Sequence, residues 1–291
     1  MKKLIAFLFW IKLLWLVSYT GCNGKSARML SFLSRCKADE KEPYSYRGRN
    51  GPKFWGETFP ACNGKEQSPI AINSRTAPRD ANLPKLFMHN YDIPVTKATI
   101  ENNGNSIQVN PMDGVARTIF INGATYSLDQ MHFHWGDDYN NGAEHIIDGI
   151  QYAMEMHFVH LTPNNQIAVV GVFFQEQSQT SEALQNIIKE FPKVTFKDMT
   201  TQLTSPVNLT NLVPSNPASF YFYPGSLTNP PCTEGVTWFV LPKPLPVGLD
   251  QMKKFRSLNS ARRSKATRGC TIQKNFRPSQ PINHRTVVIS Q

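Results

Sequence analysis

The chain has 291 residues, 40% of them hydrophobic, with 31 Lys and Arg against 21 Asp and Glu for a formal net charge of +10. That length and apolar content suffice to bury a sizeable core and exclude a disordered chain. The basic excess comes with no nucleic-acid motif or aromatic interleaving, which argues against a DNA or RNA partner, and the five cysteines form no Cys-x-x-Cys pair, which argues against a cysteine zinc site.

Taken in chain order, residues 1–21 read as a secretory signal peptide. Lys2 and Lys3 precede an apolar run over residues 4–17, broken only by Lys12, and the small residues Ser18, Thr20 and Gly21 follow. The run is short for a bilayer span; a signal anchor is the alternative, because Tyr19 spoils the neatest cleavage pattern. The expected location is extracellular, which five cysteines fit. Residues 22–42 form an N-terminal extension. Residues 43–291 carry strand and turn signals at steady intervals with no linker-like break, so one domain is expected.

Most of that domain reads as β. Residues 118–121 and 124–128 flank Asn122-Gly123, whose residue types suit the positive φ angles of a type I′ hairpin turn, and the second arm runs on toward His132 and His134. Residues 167–174 are a continuous apolar run, as in a strand buried on both faces, and residues 237–241 make another short strand. Two helices are predicted. Residues 181–191 place Leu184, Ile187, Ile188 and Phe191 on one stripe, and a shorter helix covers 249–258. Ser68-Pro69 and Pro230-Pro231 read as fixed turns, and Asn208-Leu209-Thr210 is a glycosylation acceptor. The fold class is mixed α/β and β-dominated, with short peripheral helices.

Chemistry enters with His132, His134 and His157. The first two are spaced i, i+2, so in a strand both imidazoles point to one face. In the second segment Ala153, Glu155, His157 and Val159 share a strand face. If the two segments pair, three neutral imidazoles converge with no thiolate, the ligand set of a catalytic zinc that keeps its fourth position open. Each histidine taken singly is more often a packed side chain; His89, His145 and His160 do not share this alternation.

Further motifs keep the triad company: Tyr44-Ser45-Tyr46, Gly51-Pro52, Trp55, Cys62-Asn63-Gly64, Gln67-Ser68-Pro69-Ile70, residues 130–136, Ala143-Glu144-His145, residues 155–160, residues 223–231, and Asn275-Phe276-Arg277-Pro278. In this order, from about residue 43 to 288, the chain resembles the α-class carbonic anhydrases. The resemblance implies one domain around a twisted, mostly antiparallel sheet of about ten strands, a Zn2+ ion at the base of a conical cleft, and reversible hydration of carbon dioxide to bicarbonate and a proton. It implies that the Thr228 hydroxyl accepts a hydrogen bond from zinc hydroxide and donates its own to Glu144. It further implies that Gln130 orients His132, the Asn275 carbonyl orients His134, and Glu155 orients His157. Val159, Val169, Leu227, Val236 and Trp238 match the family's apolar substrate wall, and Tyr46, Asn103, Gln108 and Asn229 its water-holding wall. Cys62 and Cys232 match the disulfide of the secreted branch; Cys36 and Cys270 have no counterpart, and their pairing with each other or with Cys22 stays open.

Two departures stand out. Fast members carry a proton-shuttling histidine where this chain has Asn105, and asparagine cannot take up and release a proton near neutral pH. Residues 253–274 hold eight basic residues (Lys253, Lys254, Arg256, Arg262, Arg263, Lys265, Arg268, Lys274) and no acid. They form either a solvated basic loop or an anchor for an acidic matrix or anionic surface. A binding module that has lost its chemistry is the alternative to an enzyme, but such modules typically lack one or more zinc histidines, and all three are present here. The sequence sets no oligomeric state.

Overall fold

The computed structural model describes residues 36, 42–83, 85–215, 217, 219–264 and 270–290. The expected signal peptide, Cys22, the extension apart from Cys36 and Glu42, and Lys265 and Arg268 lie outside the described residues. Among the described residues twelve strands are assigned: β1 (Ala71–Ile72), β2 (Ala98–Asn102), β3 (Ile107–Pro111), β4 (Thr118–Ile121), β5 (Ala124–Trp135), β6 (Ile146–Ile147), β7 (Met154–Leu161), β8 (Ile167–Gln177), β9 (Met199–Gln202), β10 (Tyr221–Ser226), β11 (Glu234–Gly248) and β12 (Val288–Ile289). The α-helices among the described residues are α1 (Trp55–Thr58), α2 (Glu182–Ile188) and α3 (Leu249–Arg256).

Ten strands make one sheet in the order β12-β10-β11-β8-β7-β5-β3-β2-β9, with β4 paired to β5. Every neighbouring pair in it is antiparallel except β8–β11. The mixed, β-dominated architecture expected from the sequence is therefore the one observed. The β4–β5 hairpin forms where Asn122-Gly123 predicts it, with φ of 48° and 85° at the two turn residues. β11 is longer than the predicted 237–241, because Pro242, Pro244 and Pro246 mask its continuation. The register against β8 shifts between Leu241 and Leu245, where a strand can carry prolines without a broken ladder. The helix predicted over 181–191 starts as expected, with the Ser181 hydroxyl accepting from the Leu184 N–H, but ends at Ile188. A 3₁₀ turn containing Pro192 follows.

Alternation through the central strands divides the molecule. Met131, Phe133 and Trp135 of β5, Met156 and Phe158 of β7, and Val170 and Val172 of β8 face one large core, covered by Leu184, Ile187 and Ile188 of α2 and Met252 and Phe255 of α3. The intervening residues face the other way, into a smaller cluster that holds Val159, Val169, Val236 and Trp238. The large core fixes the sheet, and its opposite face is left for chemistry. Disulfides join Cys62 to Cys232 and Cys36 to Cys270. The first ties the segment after α1 to the loop that follows β10; the second resolves the pairing that the sequence left open.

His160 lies on the large-core side of β7, fully buried, with Nε2 2.7 Å from the Tyr91 hydroxyl. Burial pushes its pKa down to about 4. A histidine depressed in the folded state binds its proton first in the unfolded chain, so stability falls as pH drops from about 6.5 toward 4, by up to about 3 kcal/mol. Denaturant unfolding of the zinc-free protein should show that loss on top of the one from the buried triad histidines, and His160→Gln should reduce it by about that amount. Parallel pH curves for the two proteins would contradict the assignment.

Candidate metal centre and cleft

Antiparallel pairing of β5 with β7 sets His132 opposite His157 and His134 opposite Glu155. The ring centroids of the three histidines lie 4.6–5.1 Å apart. Each ring has one nitrogen committed elsewhere. His132 Nδ1 is 2.9 Å from Gln130 Oε1, His134 Nδ1 donates to the Asn275 carbonyl at 2.8 Å, and His157 Nε2 donates to Glu155 Oε1 at 2.9 Å. A carbonyl or carboxylate only accepts, so these nitrogens carry the protons and the opposite nitrogens present lone pairs. Those three, His132 Nε2, His134 Nε2 and His157 Nδ1, face one point.

The donor set fits zinc. His157 Nδ1 and His132 Nε2 are 3.3 Å apart with no proton left to share, and a tetrahedral ion with zinc–nitrogen bonds of about 2.0–2.1 Å separates its ligands by about 3.3 Å. His134 Nε2 is buried with no hydrogen-bond partner. Two inward lone pairs in contact and a third orphaned are costly without a cation between them. All three histidines are held neutral: burial lowers their pKa values, that of His134 to about 3, and the neighbouring imidazoles add to the effect at His132 and His134. Neutral imidazole is the form that binds metal.

Glu155 anchors the arrangement from behind. Its Oε1 also accepts from His145 Nδ1 at 2.7 Å, and its Oε2 accepts the backbone N–H groups of Glu144 and His145 at 2.9 and 2.8 Å. Burial alone would raise its pKa, but the His145 imidazole and the hydrogen bonds from His145 and His157 overcome burial and hold it well below the usual carboxylate range. From His145 the network continues through Nε2 to the Tyr223 hydroxyl at 2.6 Å, and from there to the Ser68 hydroxyl at 2.9 Å. Sequence alternation passes over His145 because it stands in a loop rather than on the β5 or β7 ladder; its adjacency to Glu144 is the signal that could have found it.

Glu144 is buried, and burial raises its pKa well above the ordinary value, opposed by the Arg277 backbone N–H and the Thr228 hydroxyl. Oε1 accepts that N–H at 2.7 Å. Thr228 lies near the carboxylate, yet Oε2 has no aligned hydrogen-bond partner, so the Thr228–Glu144 link is a near contact. Arg277 sits deeper than the sequence suggests, donating to Gln67 Oε1 and to the Ser68 and Cys62 carbonyls.

The predicted apolar wall gathers as one cluster: Val159, Val169, Val236 and Trp238 are buried together with Leu227 against them. The Trp238 ring lies 4.9 Å from that of His157, which puts this wall beside the three nitrogens. On the polar side, Gln108 of β3 is the strand partner of His132, and Tyr46 feels the charge of Glu144. Asn103 uses its side-chain oxygen to accept the Asn105 and Ser106 N–H groups. Asn229 donates to the Tyr44 hydroxyl at 3.1 Å; Tyr44 is a cleft residue to which the sequence reading gave no role. The Asn105 side chain also acts on that hydroxyl.

Three histidines on a sheet face, an apolar wall at one side and a polar wall at the other define a mononuclear metal lyase or hydrolase cleft. Residues 50–291 match the family model of eukaryotic-type carbonic anhydrase, and the chain belongs to that family. It is similar to carbonic anhydrase 3 of Bos taurus, with 35% identity over 263 residues that cover 85% of this chain and 98% of that protein. The chain is thus a carbonic anhydrase, a carbonate dehydratase of a family that hydrates carbon dioxide with zinc.

Gly171 of β8 is the strand partner of His157, and a Cβ there would stand 2.8 Å from Glu155 Oε1. Glu155 cannot yield without releasing His145 or His157. Gly171→Ala should therefore weaken zinc binding about 10-fold, in the range found when a ligand's hydrogen-bond partner is disturbed. Competition with a chelator measures it, and an unchanged affinity in a folded protein would contradict this role.

Proposed function

We propose that this chain is a secreted carbonic anhydrase with His132, His134 and His157 as zinc ligands, Thr228 and Glu144 as the orienting pair, and no built-in proton shuttle. The observation that carries the reading is the convergence of three lone-pair nitrogens whose other ring positions are all engaged. A zinc ion held there lowers the pKa of a bound water to about 7, as documented for carbonic anhydrase generally, and so supplies hydroxide at neutral pH.

The chain's own residues do the rest. Gln130, Asn275 and Glu155 fix the imidazole orientations and tautomers. Were the Thr228 proton turned to the nearby Glu144 carboxylate, its hydroxyl would be left to accept on the cleft side and would orient a hydroxyl group held there. Val159, Val169, Leu227, Val236 and Trp238 offer apolar carbon dioxide a surface that water does not compete for. Tyr46, Asn103, Gln108 and Asn229 line the wet side. At Asn105 the route ends in an amide that neither accepts nor releases a proton.

Several features support an extracellular site: the N-terminal basic–apolar segment, the two disulfides, and the Asn208-Leu209-Thr210 acceptor, whose Asn208 is partly exposed. Anchoring through residues 253–274 is weaker than their charge suggests. Lys253 pairs with Asp250, Arg256 with Glu176 and Arg262 with Asp198. Among the described residues, Lys254, Arg263 and Lys274 form no ion pair and are left to meet an acidic matrix. Retention on an acidic polymer that survives neutralisation of Lys254, Lys265, Arg263, Arg268 and Lys274 together would remove the anchor from this account.

Stopped-flow carbon dioxide hydration by the zinc-loaded protein tests the enzyme reading. Activity should be present and lost in His132→Ala. Imidazole should raise kcat, and Asn105→His should raise kcat by about 10-fold with little change in kcat/KM, because only the proton step is relieved. If neither imidazole nor that substitution moves kcat, proton export is not limiting.

A further inference from the structure

The two most exposed large apolar side chains among the described residues are Phe87 and Phe120, at 67% and 58% of full exposure. They are neighbours. The segment before Asn90 pairs antiparallel with β4, where His89 and Thr118 exchange backbone hydrogen bonds of 2.8 and 3.2 Å. Two residues out along that ladder Phe87 comes opposite Phe120, and β5 sets Thr125 against Phe120 and Ser127 against Thr118. Leu86, Ile119, Ile121 and Tyr126 point the other way, into the large core. One face of this three-stranded ribbon thus carries Phe87, Phe120 and Thr125 in one row and His89, Thr118 and Ser127 in the next. All but the half-buried Thr118 are exposed. Single exposed apolar residues are ordinary, whereas adjoining ones on one face mark a contact surface.

The charges at the two ends of the face say what would cover it. Lys85 lies two residues before Phe87, toward the Asn122-Gly123 turn, and Asp129 lies two residues beyond Ser127, at the opposite end. Both are exposed, and neither forms an ion pair among the described residues. The face therefore runs from a cation, through an aromatic middle, to a carboxylate. A surface in that order complements itself. A two-fold axis perpendicular to it lays the cationic end of one copy on the acidic end of the other, and packs the phenylalanine row of each against the His89–Thr118 row of its mate.

We infer that this face is the contact between two copies of the chain, a two-fold dimer with Phe87 and Phe120 at its centre and Lys85 of each copy against Asp129 of the other. The aromatic rings supply the apolar area of the contact, and the charges at its rim fix the orientation. The bulge after Leu128 carries the same face of β5 on to His132 and His134. The two copies therefore meet on the sheet face that also holds the metal centre.

Sedimentation of the zinc-loaded protein over a range of concentrations decides between one copy and two. The expected result is a monomer–dimer equilibrium that reverses on dilution, as a disulfide between copies would not, and that weakens as salt rises. Phe120→Asp should be monomeric at every concentration while melting like the parent, because that side chain lies outside the core. Lys85→Glu and Asp129→Lys should each raise the dissociation constant about 10-fold, and the double variant should recover the parent value, since the pair is then reversed rather than lost. A chain that stays monomeric throughout overturns the inference, including one that instead sediments with anionic phospholipid vesicles through Phe120. So does a dimer indifferent to Phe120→Asp, or a double variant that dissociates as readily as the single ones.

Discussion

The register between β5 and β7 is the constraint on which the rest depends. Because side chains alternate strictly, a slip of one residue would turn every member of a strand to the opposite face. It would take Met131, Phe133 and Trp135 out of the large core at about 1.5–3 kcal/mol for each such side chain, and it would scatter the histidines. The observed register instead sets His132 against His157 and His134 against Glu155. The apolar face specifies the pairing, and the polar face inherits the geometry. A site of this precision is thus held by residues that never touch it.

On that inherited face, the governing problem is how to keep polar groups under cover. Glu155 is fully buried and accepts four hydrogen bonds, two of them from backbone N–H groups. That coordination of donors makes a buried carboxylate tolerable and turns it into a rigid stop for His157. His145, Tyr223 and Ser68 continue the same chain of commitments into the body of the protein. Two of the buried polar atoms left without a partner stand where chemistry is expected: His134 Nε2 at the centre of the triad and Glu144 Oε2 near Thr228.

Local patterns carried much of this into the sequence. Asn122-Gly123 between alternating apolar arms specifies its hairpin, and the i, i+2 spacing of His132 and His134 specifies a shared face. The ordered motifs from Tyr44 to Pro278 carried the family resemblance. What escaped depends on contacts between distant segments. The prolines of β11 disguised a strand that pairs across a register shift. His145 does not sit on the alternation and is drawn in by Glu155. Cys36 and Cys270 are 234 residues apart. The basic run over 253–274 looked uncompensated because its acids, Glu176 and Asp198, come from other parts of the chain.

The central claim is that three imidazole nitrogens, and nothing else from the chain, hold one zinc ion with a position left open. X-ray absorption at the zinc edge of the purified, zinc-loaded protein tests it most directly. The account predicts one zinc per chain with three nitrogen ligands at about 2.0–2.1 Å and one additional light-atom ligand. A sulfur ligand at about 2.3 Å, a carboxylate in place of an imidazole, or a protein that retains no zinc would contradict it.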